Sequence, residues 1–422
     1  MKTAISQTVI PFIKPTPDEQ KRVSAATKKF ITKLNAVLKD AHAVLGGSGA
    51  KGTWLSGNHD LDIFVLYPRR TYAPQTSQLS ELLEKSLTKA FPKQKLQRVH
   101  GSRDYFQLVF EGFNLEVVPI LRIQKAEQAV NITDVSPLHT RWVRKQPAEI
   151  KDEILLAKQF CRAHDFYGAE SYIGGFSGYV LEILVSYYGS FEKLLWAALK
   201  WKKNEVIDIE KKYPQKNALF HLNQSKIRSP LIVIDPVDKN RNAAAALTEE
   251  KWSRFQKKAQ EYLKKPAAAF FEKKQITTEI WKTEVSARGH HGAWMDFTLP
   301  AGKEDVLGMK IVKVLDVIQK ELAPFTVLSS NWIWDKSSKA SLYVEVKTDR
   351  RPAEEIRIGP PLHLTEFVAD FQKKNKKTYV KHDRVVATIR VAQTSLEENL
   401  KTILQKPYIL EKIKSPRRIT LR

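Results

Sequence analysis

The sequence predicts a multidomain α+β protein, and three observations carry that reading. Helix and strand signals alternate from the N-terminus to about residue 143. The stretch from about 148 to 275 is mainly helical. The last third returns to mixed signals in the order strand, helix, strand, strand, helix, strand. A chain of 422 residues has room for about three domains. A hydrophobic fraction of 42% is ordinary for globular proteins and supplies a sizeable core.

The elements follow in order. "TPDEQKRVSAATKKFITKLNAVLKDA" reads as a helix, with Thr16 as N-cap, Pro17 in the first turn and Glu19 completing a capping box. "TSQLSELLEKSLTKAF" reads as a second helix. "DYFQLVF" and "FNLEVVPI" read as a hairpin turning at Glu111-Gly112. The helical middle comprises "AEIKDEILLAKQFCRAHDFYG", "GGFSGYVLEILVSYYG", "SFEKLLWAALKWKK" and "LTEEKWSRFQKKAQEYLKK". Within it, "SPLIVIDPVDKNRNAAAAL" is a short apolar strand, a turn and a helix start. In the last third, "AWMDFTLP" is a strand, "KEDVLGMKIVKVLDVIQKEL" a helix, and "FTVLSSNWIWD" and "ASLYVEVK" two strands. "TEFVADFQKKNK" then gives a helix and "RVVATIRV" a strand. The order βαββαβ is that of ferredoxin-like and RNA-recognition-motif sheets.

Charge narrows the function classes. Lys and Arg number 70 against 46 Asp and Glu, a net charge of +24. An isoelectric point near 9.7 favours a polyanionic partner, nucleic acid before an anionic membrane. No stretch approaches the roughly 18 apolar residues of a spanning helix. The N-terminal "MKTAISQTVIPFIKP" is broken by Ser6, Gln7 and Pro11 and lacks a small-residue cleavage site, against a signal peptide. Cys161 is the only cysteine, which excludes an internal disulfide and points to the cytoplasm.

The chemistry concentrates in "GGSGAKGTWLSGNHDLDIFVLYP", Gly46 to Pro68. Alternation along a strand puts Asp60 and Asp62 on one face and Leu61, Ile63 and Val65 on the other. Two carboxylates so close repel unless a cation sits between them. Magnesium suits such a place, because it takes carboxylate oxygens together with substrate phosphates. Glu116, an isolated acid in the apolar strand "NLEVV" one hairpin away, is the candidate third ligand. Upstream, "GGSGAKG" can turn tightly and start a helix at Ser48, an anion cradle of backbone N–H groups. Ser48 can add a hydroxyl and Lys51 a point charge to a triphosphate.

A Gly-Ser pair, eleven residues, then Asp-Leu-Asp on a strand resembles the polymerase-beta-like nucleotidyltransferase superfamily. The resemblance tightens with "LEVVPI", "SPLH", "LLAKQFCRAHDFYGAESYIGGFSGYVLEIL", "DPVDKNRNAAAAL" and "IGPPLH". In that order they resemble the landmarks of archaeal-type (class I) CCA-adding enzymes, over about residues 15–400. The resemblance implies a tRNA nucleotidyltransferase that extends the tRNA 3′ end from CTP and ATP without a nucleic-acid template, using Mg2+. It implies a catalytic head at 1–143, a helical neck at 144–256, and a body and tail at 257–422 that grip the acceptor stem and T arm. Two chains per assembly would be ordinary for the family. By position, Asp60, Asp62 and Glu116 match its metal-binding carboxylates, and Ser48 and Lys51 its triphosphate contacts. Ser136 and His139 match positions lining the nucleotide site, and Lys158 and Tyr167 flank the pocket from the second domain. Arg241 matches an arginine implicated in recognising the incoming base; the competing reading pairs it with Asp235 or Asp238.

Two positions depart from the family pattern. The third carboxylate, usually Asp, is Glu116, and the phosphate position, usually Arg, is Lys51, which exchanges a planar fork for a point charge. Both keep the required charge. The competing functions are another template-independent polymerase of the poly(A) or oligoadenylate type, and an inactive RNA-binding protein. The first needs neither "DPVDKNRN" nor a tRNA-gripping tail, and the second predicts loss of a carboxylate. Trp54, Tyr172 and Cys161 read as packing residues, His59 as a loop histidine, and Gly174, Gly175 and Gly178 as close-packing glycines. His290 and His291 have no acidic or cysteine neighbour at ligand spacing and read as loop or RNA-contact residues.

Overall fold

The structure, a computed structural model, describes residues 4–58, 60–213 and 217–422. The chain divides into two compact units, Met1–Lys274 and Gln275–Arg422.

The first unit opens with helices Ala4–Ile13 and Pro17–Asn35. Thr16 caps the second helix, and Glu19 returns a carboxylate to the Thr16 N–H at 2.9 Å, the expected capping box. A five-stranded sheet follows, built from β1 (His42–Leu45), β2 (Asp60–Pro68), β3 (Gln97–Val99), β4 (Tyr105–Phe110) and β5 (Phe113–Arg122), in the order β1-β2-β5-β4-β3. β2 and β5 run parallel and the other pairs antiparallel. The β4–β5 hairpin turns at Glu111-Gly112, both at positive φ (51° and 83°), which suits the right-handed twist of the strands.

Alternation decides the two faces of this sheet. Ile63, Val65, Phe106 and Val117 pack beneath helices Pro17–Asn35 and Leu79–Ala90, around Phe30, Leu34, Leu83 and Leu87. On the other face Phe64, Leu66 and Ile120 form a small apolar patch. Asp62 and Glu116 lie on that same face, at the strand starts.

Helices Ser136–Arg144, Ala148–Ala163, Gly178–Tyr188, Phe191–Ala198 and Glu249–Lys264 continue the first unit around Phe160, Cys161, Ile183, Leu195 and Phe255. A short parallel pair, β6 (Glu205–Ile207) and β7 (Leu231–Val233), carries "IDPVDKNRN" out of β7. The expected neck–body border at 256/257 falls inside helix Glu249–Lys264, whose Tyr262 is buried in the same core.

In the second unit β8 (His291–Thr298), helix Glu304–Glu321, β9 (Val327–Trp334) and β10 (Lys339–Val346) follow as expected. The next expected helix and strand go elsewhere. Helix Thr365–Lys374 accompanies a separate three-stranded sheet of β11 (Glu354–Pro361), β12 (Thr378–Lys381) and β13 (Arg384–Arg390), in the order β11-β13-β12. The elements that return to the first sheet are helix Leu396–Leu404 and β14 (Lys414–Leu421), giving the order β14-β8-β10-β9. Burial explains the difference. Helix Thr365–Lys374 has no buried residue, whereas Leu396, Leu400, Ile403 and Leu404 form a helical stripe sealed into the core with Met295, Ile311 and Leu342. Among the described residues no helix is long and apolar enough to cross a membrane.

Candidate active site

The parallel register places Asp62 directly opposite Glu116 and Asp60 opposite Asn114. Three acids therefore share one face at the start of two neighbouring strands. Asp62 is half-buried. Burial, then the charges of Glu116 and Asp60, push its pKa up to about 6, against the opposing pull of Lys51. Asn114 donates to Asp60 Oδ1 at 3.1 Å and Gln107 donates to Glu116 Oε1 at 2.7 Å. Among the described residues no three His, Cys, Asp or Glu side chains converge into a ready metal cage. The donor set is nevertheless all carboxylate oxygen, the chemistry a hard divalent cation takes. His59 lies outside the described residues.

The glycine-rich stretch folds over this face. Gly46 caps a short helix, Gly47–Lys51, one residue earlier than the expected start at Ser48. The Gly46 N–H donates to the Asp62 carbonyl at 2.7 Å. Gly47 has φ +51°, and a Cβ there would lie 1.6 Å from Asp62 Oδ2. Only glycine admits the carboxylate so close to the loop. Ser48 sits half-buried in this helix. Glu19, beyond its capping role, accepts from Ser56 Oγ at 2.8 Å and the Gly57 N–H at 3.0 Å, tethering the loop that leads to Asp60.

Lys51 and Lys158 meet at a carboxylate that sequence reasoning passed over. Glu182 is 1% exposed. It accepts from Lys51 Nζ at 2.8 Å, Lys158 Nζ at 2.8 Å and Thr53 Oγ1 at 2.5 Å. Burial alone would raise its pKa, but the two ammonium groups hold it at about 2. Lys158 also donates to the Thr53 carbonyl at 2.8 Å, and Lys51 lies 4.9 Å from the centre of the Tyr179 ring. The cluster carries two cations and one anion, a buried excess of positive charge behind the glycine loop. Tyr167 lies beside it: a Cβ on Gly178 would come 2.8 Å from the Tyr167 hydroxyl and 3.4 Å from Lys158 Nζ. Burial, then Glu182, pushes the Tyr167 phenol up to about 12.

A second network surrounds Asp235, at the end of the β7 segment. Its fully buried carboxylate accepts from His139 Nε2 at 2.9 Å, Arg241 Nη1 at 2.7 Å, Tyr179 Oη at 3.0 Å and the Val237 N–H at 3.0 Å. The predicted residues His139 and Arg241 thus share one partner, and the Arg241–Asp235 pair that competed with base recognition exists. Burial lowers the His139 pKa, with Arg241 and Lys51 adding to it against the Asp235 hydrogen bond. His139 also stacks on Tyr179, with ring centres 4.0 Å apart. Ser136 begins the His139 helix. The loop before that helix is held by Asp134, which accepts from Arg103 Nη1 at 2.6 Å and from the Leu121, Val130 and Asn131 N–H groups at 2.9, 3.1 and 2.9 Å.

The packing readings hold where the structure describes them. Cys161 is fully buried, and burial pushes its thiol well above the ordinary range. A Cβ on Gly175 would meet the Phe166 carbonyl at 2.1 Å. His290 differs. The fold brings Glu345 of β10 within 2.6 Å of its Nδ1, alongside Arg288 Nε at 2.9 Å, an acidic neighbour 55 residues away that spacing could not show.

Comparison with known proteins gives a consistent picture. Residues 27–134 match the nucleotidyltransferase domain family, 152–272 the tRNA nucleotidyltransferase second domain and 288–410 the CCA-adding enzyme C-terminal domain. The CCA-adding enzyme of Methanothermobacter thermautotrophicus is 32% identical over 409 residues, 94% of this chain and 88% of that protein. That of Nanoarchaeum equitans is 33% identical over 387 residues, 89% of this chain and 90% of that protein. Among solved structures, the Cid1 poly(U) polymerase bound to MgATP aligns at 14% identity with a TM-score of 0.51, covering 64% of this chain and 98% of that one. At that identity it shows the fold alone.

Proposed function

This chain belongs to the CCA-adding enzyme family, and from that premise we propose which of its residues perform the reaction. The activity is addition of CCA to the tRNA 3′ end from CTP and ATP, without a nucleic-acid template and with release of pyrophosphate. Asp60, Asp62 and Glu116 are the metal-holding carboxylates, and Mg2+ is the cation their hard oxygen donors suit. The bound cation supplies charge neutralisation at the attacking and leaving oxygens. The observation that carries this reading is the register that sets Asp62 opposite Glu116, with Gly47 against the Asp62 carboxylate.

The chain's own groups orient the nucleotide. Ser48 and the first N–H groups of its helix face the triphosphate as donors. Lys51 and Lys158 contribute the excess positive charge of the Glu182 cluster. Tyr167, Ser136 and His139 line the nucleotide pocket. Arg241, with one guanidinium N–H engaged by Asp235, has further donors to offer the incoming base. Cytosine N3 and adenine N1 accept such donors, whereas uracil N3 and guanine N1 carry hydrogens there. We assign the catalytic head and helical neck to the first unit, Met1–Lys274, and the body and tail to the second, Gln275–Arg422. The order β14-β8-β10-β9 with the connectivity βαββαβ supports reading the body as ferredoxin-like. We assign this second unit to the grip on the acceptor stem and T arm, and the protein to the cytoplasm.

The test is Asp62→Asn, which removes one charge at constant size. It abolishes nucleotide addition to a tRNA ending at its discriminator base and leaves tRNA binding, measured by filter retention, near wild type. Addition at the wild-type rate would remove Asp62 from the metal site.

A further inference from the structure

Asp235 is out of reach of solvent, at 0% exposure, yet it carries a charge and four hydrogen bonds. An ionised carboxylate accepts only. Each partner must therefore present a hydrogen, and the arrangement is fixed. One oxygen, Oδ2, receives both His139 Nε2 and Arg241 Nη1, at 2.9 and 2.7 Å. The other, Oδ1, receives Tyr179 Oη and the Val237 N–H, both at 3.0 Å. Two residues of the nucleotide pocket are thereby held side by side by a single atom.

We propose that Asp235 is a positioning residue that sets nucleotide selectivity by fixing the guanidinium of Arg241 and, beside it, the imidazole of His139. The inference rests on the reading of Arg241 as the group that meets the incoming base. Arg241 keeps a long, flexible stem and is 30% exposed at its side chain. Without an anchor its donors would meet an acceptor or a donor edge with little geometric penalty. Anchored through Nη1, its remaining N–H groups point in one direction, and a base with a hydrogen at N3 or N1 leaves a donor unmet. His139 is fixed in the same way. Its Nε2 donates to Asp235 at 2.9 Å, which fixes the orientation of the ring beside Arg241. Tyr179 completes the support, stacking on His139 while donating to Asp235. The residue that chooses among nucleotides is then controlled by a carboxylate that touches none of them.

The experiment compares single-turnover rates for CTP, ATP, UTP and GTP on a tRNA ending at its discriminator base. It uses the wild type, Arg241→Ala, Asp235→Asn and the double variant, each checked by thermal melting. Arg241→Ala is expected to lose roughly 5- to 150-fold of its discrimination against UTP and GTP. Asp235→Asn is expected to lose about tenfold or more, with the double variant no less selective than Arg241→Ala alone. If Arg241→Ala loses selectivity while Asp235→Asn keeps it, the inference fails and the reading of Arg241 survives. If neither changes selectivity, the reading of Arg241 fails and the inference with it. A folded Asp235→Asn that slows all four nucleotides equally has a structural role only, which also overturns the inference. Should Asp235→Asn not fold, Tyr179→Phe removes one donor and keeps the carboxylate. A partial loss of selectivity in Tyr179→Phe supports the inference, and unchanged selectivity overturns it.

Discussion

Glu182→Gln should unfold the first unit far more readily than any surface change. Glu182 is 1% exposed and joins Lys51, 8% exposed, to Lys158, 2% exposed. The substitution keeps side-chain size but leaves two ammonium groups buried around a neutral amide. Breaking a buried charge pair by removing one partner costs about 3–5 kcal/mol. The ionisation of Glu182 gives a similar figure. A carboxyl held at about 2 against an ordinary 4.5 corresponds to roughly 3 kcal/mol at neutral pH. The sign follows from the depressed value: this stability is complete above about pH 4.5 and is lost as pH falls toward 2. Differential scanning calorimetry at pH 7 should show a fall in Tm on the order of 10 °C for the transition of the first unit. Repeated at decreasing pH, the gap between wild type and variant should narrow below pH 4.5. A Tm within about 2 °C of wild type at pH 7, or a gap that does not change with acid, would refute the claim that Glu182 is an ionised anchor.

Glu116→Gln should be as damaging to nucleotide addition as Asp62→Asn, while Glu116→Asp retains activity; full activity in Glu116→Gln would mean that two carboxylates suffice. Cys161 in the folded protein should resist thiol reagents, and Cys161→Ser should leave addition rates unchanged; rapid inactivation that this substitution prevents would contradict its packing role. Affinity for tRNA should fall linearly on a log–log plot against salt, since Lys and Arg displace counterions from phosphates. Recognition of A-form shape should also let a minihelix of acceptor and T arms be extended, and strict dependence on the anticodon loop would sink that expectation.

Local rules made part of this molecule legible in the sequence. The alternation of Asp60 and Asp62 with Leu61 and Ile63, the glycines ahead of them and the Glu111-Gly112 turn are all short-range signals, and the structure places each where they indicate. Glu182 was hidden for the opposite reason. It sits in the apolar run "GYVLEILVSYY", and its partner Lys51 is 131 residues away. Asp235 appeared only as a competing partner for Arg241, because nothing local brings His139, 96 residues upstream, to the same oxygen. In the second unit each quoted helix and strand exists. The division into two sheets was missed because periodicity reports which face is apolar and not which sheet covers it. The stripe Leu396, Leu400, Ile403 and Leu404 and the strand "KSPRRITL" carried the answer. The proline and basic residues of that strand concealed its pairing with β8.

The most direct measurement is to incubate the protein with tRNA ending at its discriminator base and sequence the 3′ ends, supplying CTP, ATP, UTP and GTP each alone, and CTP with ATP together. Cytidines alone are expected with CTP, and a completed CCA end only when CTP and ATP are both present, with no extension from UTP or GTP. Homopolymeric adenosine or uridine tails, or a 3′ end left unchanged with both nucleotides and Mg2+ present, would contradict it.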